Sequence, residues 1–218
     1  APSVQRRRRQ RRRLRLGAVW RGAAAEDTAL VEEEQEVDVG VPPLLRAVDK
    51  SSKWAVTIAQ TAAVIVRHDT VAPFIIVGAI VAAYFASAAK KAINQRRPDG
   101  SPFTDPGMPS SHALVSMFLA VAWALILDST SRGAAVIGGA VCVSILRVVC
   151  GHHTWAQIGV GALLGASMAF CWMSFGALFA YAQGDAVGSV AIWLLYLVGS
   201  AVFIRRALMK EKIGPRAG

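Results

Sequence analysis

Three short stretches of this chain carry residues whose types and spacing suit chemistry on an anion. The segment Lys90 to Ser111 holds Lys90, Lys91, Arg96 and Arg97 among four prolines and two glycines; Pro109-Ser110-Ser111-His112 closes it and opens the next apolar run; and Arg147 precedes the pair His152-His153. Lys90, Arg97 and Arg147 can surround a phosphate dianion, and Ser110 and Ser111 can donate hydrogen bonds to it. A helix starting near His112 would add free backbone N–H groups and the positive end of its dipole. Two imidazoles then divide the remaining work, one attacking phosphorus and the other protonating the departing oxygen, because both titrate near neutrality. The plainer alternative is that Lys and Arg mark one membrane side and snorkel to headgroups.

The elements that must position these groups are apolar. The chain has 218 residues, 54% of them hydrophobic and only 17% charged, which excludes an ordinary water-soluble domain. Apolar runs over 54–66, 71–89, 112–127, 134–150, about 156–182 and 188–204 predict an all-α integral membrane bundle of about six transmembrane helices. Flanking residues or local bilayer thinning must complete the shorter runs. Consecutive helices alternate in direction, so the end of the second, the start of the third and the end of the fourth emerge on one membrane face. The active site is therefore expected at that face. Gly138-Gly139 and Gly161-x-x-x-Gly165 are expected to let helix backbones approach closely. Cys142, Cys150 and Cys171 lack metal or redox spacing and are expected to behave as buried small hydrophobes. No metal or other cofactor is called for.

Net charge is +10, but nine arginines fall in the first twenty-one residues, leaving fifteen bases against fourteen acids elsewhere. A nucleic-acid partner is not expected, since a basic groove needs cations spread over a folded face. Residues 1–25 suit an Arg-rich transit peptide, and a basic arm lying on anionic lipid is the alternative. An acidic-to-basic segment at 26–53 is expected to be disordered or interfacial, 54–204 to form the membrane domain, and 205–218 a basic tail.

The order K-x6-R-P (Lys90, Arg97, Pro98), P-S-S-H (Pro109 to His112) and R-x5-H (Arg147, His153) resembles the three-part signature of the type 2 phosphatidic acid phosphatase (PAP2) superfamily. The resemblance implies that His153 is the nucleophile forming a phosphohistidine and that His112 protonates the leaving alcohol and later activates water. It also implies that Lys90, Arg97, Arg147, Ser110 and Ser111 bind phosphate, and it makes His152 the less suitable of the adjacent pair. Two positions depart from the common pattern: Ser111 stands where many members have Gly, and Gln157 where they have Asp. At i,i+4 spacing the Gln157 amide oxygen can still orient the His153 ring, without the full charge of a carboxylate. Asp99 and Asp105 are candidates to supply that charge.

The combinations M-P-S-S-H and H-T-W-x-Q resemble the branch that includes dolichyl-diphosphatases and the epsilon-type lipid phosphate phosphatases of plastids. The expected activity is hydrolysis of phosphatidic acid to diacylglycerol and phosphate without a metal. Polyprenyl or dolichyl diphosphate hydrolysis, or headgroup binding without turnover, are the alternatives. Arg46, Lys50, Lys53, Arg205, Arg206, Lys210, Lys212 and Arg216 flank the site's face, against Arg67 and Arg132 on the other, so the site should face cytosol or stroma. With the leader, this favours a plastid envelope over the endoplasmic reticulum. The partners expected are a membrane lipid substrate and the bilayer; oligomeric state is left open.

Overall fold

The computed structural model describes residues 41–179 and 186–213, and every regular element among them is an α-helix. In chain order these are α1 (Pro43–Arg67), α2 (Val71–Ile93), α3 (Ser111–Ala124), α4 (Thr130–Val149), α5 (Trp155–Phe179) and α6 (Ala186–Ile213). The expected all-α membrane bundle is thus what the chain forms. Four stretches, Val71–Ile93, Thr130–Val149, Trp155–Ala177 and Gly188–Arg206, are long and apolar enough to cross a membrane. The Arg-rich leader, the acidic run after it and the last residues of the basic tail lie outside the described residues.

The remaining two helices differ from a simple span. Helix α1 begins at Pro43, well before the apolar run at 54–66, because proline at the first helical position loses no hydrogen bond and has a helical φ already. A stripe of Leu45, Asp49, Ser52 and Val56 at helical spacing turns inward: Asp49 and Ser52 are buried, and Val56 packs on the core. Arg46, Lys50 and Lys53 remain on the exposed face. Part of the segment expected to be disordered or interfacial is therefore helical and reaches the interior.

Helix α3 has 14 residues, roughly 21 Å at about 1.5 Å per residue, which is short of the ~30 Å of hydrocarbon. It lies at the centre of the bundle. Leu114, Phe118, Leu119 and Ala122 pack with Ile75, Ala79 and Ala82 of α2 and with Ala169 and Met173 of α5. The approach of α5 depends on glycine: a Cβ on Gly161 would stand 2.7 Å from the Ser110 carbonyl oxygen, and one on Gly165 would collide with the Leu114 backbone. This is the close helix approach expected of Gly161-x-x-x-Gly165.

Two expectations are corrected. Gly138 and Gly139 face open space rather than a neighbouring backbone. The buried stripe of α4 runs through Gly133, Ala140, Ser144 and Arg147, on another side of the helix. Cys142 and Cys171 are exposed and Cys150 is only partly covered. Outward faces of membrane helices are as apolar as inward ones, so an apolar run does not report which side is buried.

Candidate active site

The end of α4 sets the spacing between Arg147 and the two histidines. Gly151 adopts φ 71°, in the left-handed region that favours glycine. Its N–H donates to the Val148 carbonyl at 2.9 Å, and the His152 N–H donates to the Arg147 carbonyl at 3.0 Å. These two bonds form a Schellman termination, in which the chain reverses over the last turn and occupies carbonyls that the helix leaves open. The His153 N–H also reaches the Arg147 carbonyl, at 3.2 Å. The R-x5-H spacing is thus the length of one helix stop.

The start of α5 orients His153. The Thr154 hydroxyl accepts from the Gln157 N–H at 3.3 Å, while Gln157 Oε1 accepts from the Thr154 N–H at 3.2 Å. This reciprocal pair is a capping box at the head of the helix. Gln157 Nε2 donates to the Arg96 carbonyl at 2.8 Å and to Gln95 Oε1 at 3.1 Å. With the amide nitrogen committed to two acceptors, Oε1 is the atom 3.1 Å from His153 Nδ1, so Nδ1 carries the proton and donates. The lone pair is then on Nε2. Gly107 makes room for this amide, since a Cβ there would come within 2.5 Å of it.

His153 Nε2 faces the Arg97 guanidinium, 3.1 Å from Nη1. Burial comes first, then the charges of Arg97, Lys90 and Arg147, and together they push the His153 pKa down to about 3 against the opposing Gln157 hydrogen bond. The imidazole is neutral at physiological pH, the form a nucleophile needs.

Arg97 has each of its nitrogens engaged. Nε donates to the Asp105 carbonyl oxygen at 2.9 Å, Nη2 to Asp105 Oδ1 at 2.9 Å and Nη1 to the His152 carbonyl at 2.9 Å. Lys90, in the last turn of α2, meets Asp105 Oδ2 at 2.8 Å. Burial raises the Asp105 pKa, but the hydrogen bond and charge of Lys90, with Arg97, outweigh this and hold the carboxyl below its usual range. Of the two carboxylates considered for the nucleophile, Asp105 therefore serves the cations instead, and Asp99 lies exposed in the loop. Lys91 is exposed, and Arg96, also exposed, offers its carbonyl to Gln157.

Arg147 is paired from an unforeseen direction. Asp49 of α1 places Oδ2 2.5 Å from Arg147 Nη1 and 3.2 Å from His152 Nε2. Asp49 Oδ1, Arg147 Nε and His152 Nδ1 are buried without hydrogen-bond partners among the described residues. Phe103, in the α2–α3 loop, adds a second unforeseen contact: its ring centroid is 4.9 Å from the Arg97 guanidinium carbon, 5.9 Å from that of Arg147 and 5.0 Å from the His152 ring. Asp49, Cys150 and His152 also bring three metal-ligand atoms within 4.8 Å of one another. The Arg147 guanidinium on that same carboxylate works against a cation there. The α1 stripe was the available signal for Asp49, because a lone carboxylate on an inward helix face requires a cation.

The second motif sits at the head of α3. Ser110 is fully buried, accepts from the Ala113 N–H at 3.5 Å as the helix cap and donates its own N–H to the Gln157 carbonyl at 3.1 Å. This ties the start of α3 to the start of α5. The Met108–Pro109 peptide before it is cis. Ser111 and His112 open the helix partly exposed. The His112 ring lies within electrostatic reach of Arg147, Asp49, Lys90 and His152. Lys90, Arg97, Arg147, His112 and His153 are thus at one end of the bundle, as the helix directions require.

Comparison with known proteins gives a consistent picture. Residues 72–181 match the family model described as the PAP2 superfamily. Lipid phosphate phosphatase epsilon 1, chloroplastic, of Arabidopsis thaliana is 30% identical over 133 residues, covering 57% of this chain and 48% of the relative. Lipid phosphate phosphatase epsilon 2, chloroplastic, of the same plant is 31% identical over 133 residues, covering 57% and 46%. The chain spans about half the length of these curated relatives. No solved structure gives a significant match. The matched region runs from the start of α2 past the described end of α5 and contains all three motifs, and the chain belongs to the PAP2 superfamily.

Proposed function

We propose that this chain is a membrane-bound lipid phosphate phosphatase that hydrolyses phosphatidic acid to diacylglycerol and phosphate through a phosphohistidine on His153. The carrying observation is the orientation of His153: Gln157 holds the Nδ1 proton, and Nε2 points at Arg97. A phosphate entering between Nε2 and the Arg97 guanidinium would meet the lone pair while remaining on the guanidinium. Arg97, Lys90 and Arg147 supply positive charge where it accumulates on the phosphoryl oxygens, with Ser110 and Ser111 as further donors.

In the proposed sequence His153 Nε2 bonds to phosphorus while the bond to the lipid oxygen breaks; His112, whose pKa burial and the charge of Arg147 push down to about 4, gains a proton as the phosphate dianion offsets the surrounding cations and gives that proton to the oxygen. Water then attacks the phosphohistidine, His112 takes its proton and the P–N bond breaks to release phosphate. The names of the two relatives support a lipid phosphate as substrate, and "chloroplastic" in both supports a plastid envelope. Arg46, Lys50 and Lys53 share the helix end that delivers Asp49 to Arg147, which favours a site facing the stroma.

Phosphate release by the purified protein with EDTA, from phosphatidic acid and from a polyprenyl diphosphate in parallel, tests this reading. EDTA-resistant release from phosphatidic acid that His153→Ala abolishes is the expected result. Preference for the diphosphate would replace the substrate, and release from neither would make the chain a headgroup binder.

A further inference from the structure

His152 has no step in the reaction proposed above, yet it is tied to both arginines of the cluster. Its N–H donates to the Arg147 carbonyl at 3.0 Å, and its own carbonyl accepts from Arg97 Nη1 at 2.9 Å. Its ring Nε2 stands 3.2 Å from Asp49 Oδ2. A carboxylate oxygen only accepts, so Nε2 carries the proton in this contact. The same Asp49 oxygen lies 2.5 Å from Arg147 Nη1.

Arg147 is in the last turn of α4 and His152 follows the stop at Gly151. One oxygen from α1 therefore grips the chain on both sides of the reversal that spaces Arg147 from His153. The helix stop fixes where the backbone runs, but it leaves a long, flexible guanidinium side chain to be aimed by something else. Asp49 Oδ1, Arg147 Nε and His152 Nδ1 are buried without hydrogen-bond partners among the described residues, so within that set the three side chains depend on one another. Arg147 lies within electrostatic reach of both His153 and His112, so a change in its aim is felt at both imidazoles.

We propose that Asp49 and His152 are a pair of positioning residues through which α1 aims Arg147 at the phosphoryl group on His153. This rests on the phosphatase reading above and makes α1 a working part of the site. Neither residue touches the reacting atoms. Their contribution is realised where charge accumulates on the phosphoryl oxygens, so it enters kcat more than KM.

The test uses His152→Leu, His152→Gln and Asp49→Asn in the full chain in detergent. The readouts are phosphate release from phosphatidic acid and inhibition by orthovanadate, which in five-coordinate form resembles the transferring phosphoryl group. His152→Leu keeps the Asp49–Arg147 pair and should lower kcat, and raise the orthovanadate Ki, by on the order of tenfold. His152→Gln puts an N–H donor where Nε2 stands and should restore most of both. Asp49→Asn should lose at least as much as His152→Leu, and combining the two should cost little more, because both act through one oxygen. Ki reports on folded molecules alone. Equal loss in the two His152 variants, or a Ki unchanged in His152→Leu and Asp49→Asn whatever the change in melting temperature, overturns the proposal. Gln60→Leu breaks the bond of α1 to Trp123, at the far end of α3 from the cluster, and should leave Ki unchanged. A Ki raised there as far as in His152→Leu would assign the effect to α1 packing and overturn the proposal as well. Orthovanadate binding by calorimetry needs no turnover: weaker binding by the same variants of a chain that releases no phosphate would uphold the positioning pair and overturn the phosphatase reading.

Discussion

Arg97 and Arg147 each hold a carboxylate, but the Asp105 side chain beside Arg97 is 44% exposed, whereas the Asp49 side chain beside Arg147 is 6% exposed. The first pair is built within one loop and the last turn before it, and water reaches its carboxylate although the Arg97 side chain is 7% exposed. The second joins residues nearly a hundred positions apart through the packing of α1 on α4, where neither charge has an alternative solvent. A carboxylate that water reaches can be exchanged for another anion, while a pair buried on both sides is destabilising when half of it is removed. The cluster thus combines a half that can trade its carboxylate for an incoming phosphate with a half that fixes the geometry.

Substitutions should separate the halves. Asp49→Ala leaves Arg147 charged and buried without its partner, and a loss of about 3–5 kcal/mol is expected. Thermal unfolding in detergent should show it, with His152→Ala milder because the Arg147 pair survives. Acidification should come next. His153 has its pKa depressed in the folded state, so its contribution is present above about 6.5 and is lost as pH falls toward about 3. From pH 7.5 to pH 5 His153 should account for roughly 2 kcal/mol of lost stability and His112, pushed down to about 4 chiefly by burial, for a similar loss, so His153→Gln should remove only its own part of the dependence.

Gly151→Val forces a branched side chain into a left-handed conformation and should destabilise by about 1–2 kcal/mol. Displacement of His153 relative to Arg147 should make its effect on phosphate release larger than its effect on melting. Asp105→Asn leaves the largely buried Lys90 and Arg97 with a neutral partner and is expected to cost less than Asp49→Ala, because water reaches the Asp105 position. It should nevertheless lower KM for a phosphate monoester, because Lys90 and Arg97 no longer have a carboxylate to surrender. A melting loss for Asp105→Asn as large as that for Asp49→Ala would abolish the distinction between the halves.

Much of the site was legible because its parts sit at helix ends, where residue type and spacing have local causes. Gln157 is an example: one capping box accounts for its place after Thr154, and the same oxygen reaches His153. Gly161 and Gly165 were legible for a similar reason, since only a backbone approach explains their spacing. Asp49 was not, because its partner is distant in sequence and its neighbours Arg46, Lys50 and Lys53 give the segment the character of an interfacial stretch. Phe103 was hidden differently. An aromatic ring in a proline-rich loop has no period, and its position between two guanidinium groups arises only when the loop folds over the cluster. The cysteines and Gly138-Gly139 were misplaced because hydropathy cannot distinguish a neighbour helix from hydrocarbon.

Helix α3 starts at the charged cluster and ends after 14 residues, shorter than the ~30 Å of hydrocarbon requires. Every cation and imidazole of the cluster is at its starting end, and Gln60 of α1 holds Trp123 near its far end with a neutral hydrogen bond. On the proposed reaction this gives the enzyme a sidedness: only lipid phosphates in the leaflet at the site's face are within reach. Those in the opposite leaflet must first flip across the bilayer, so for that pool the enzyme can be no faster than the lipid's own transverse movement.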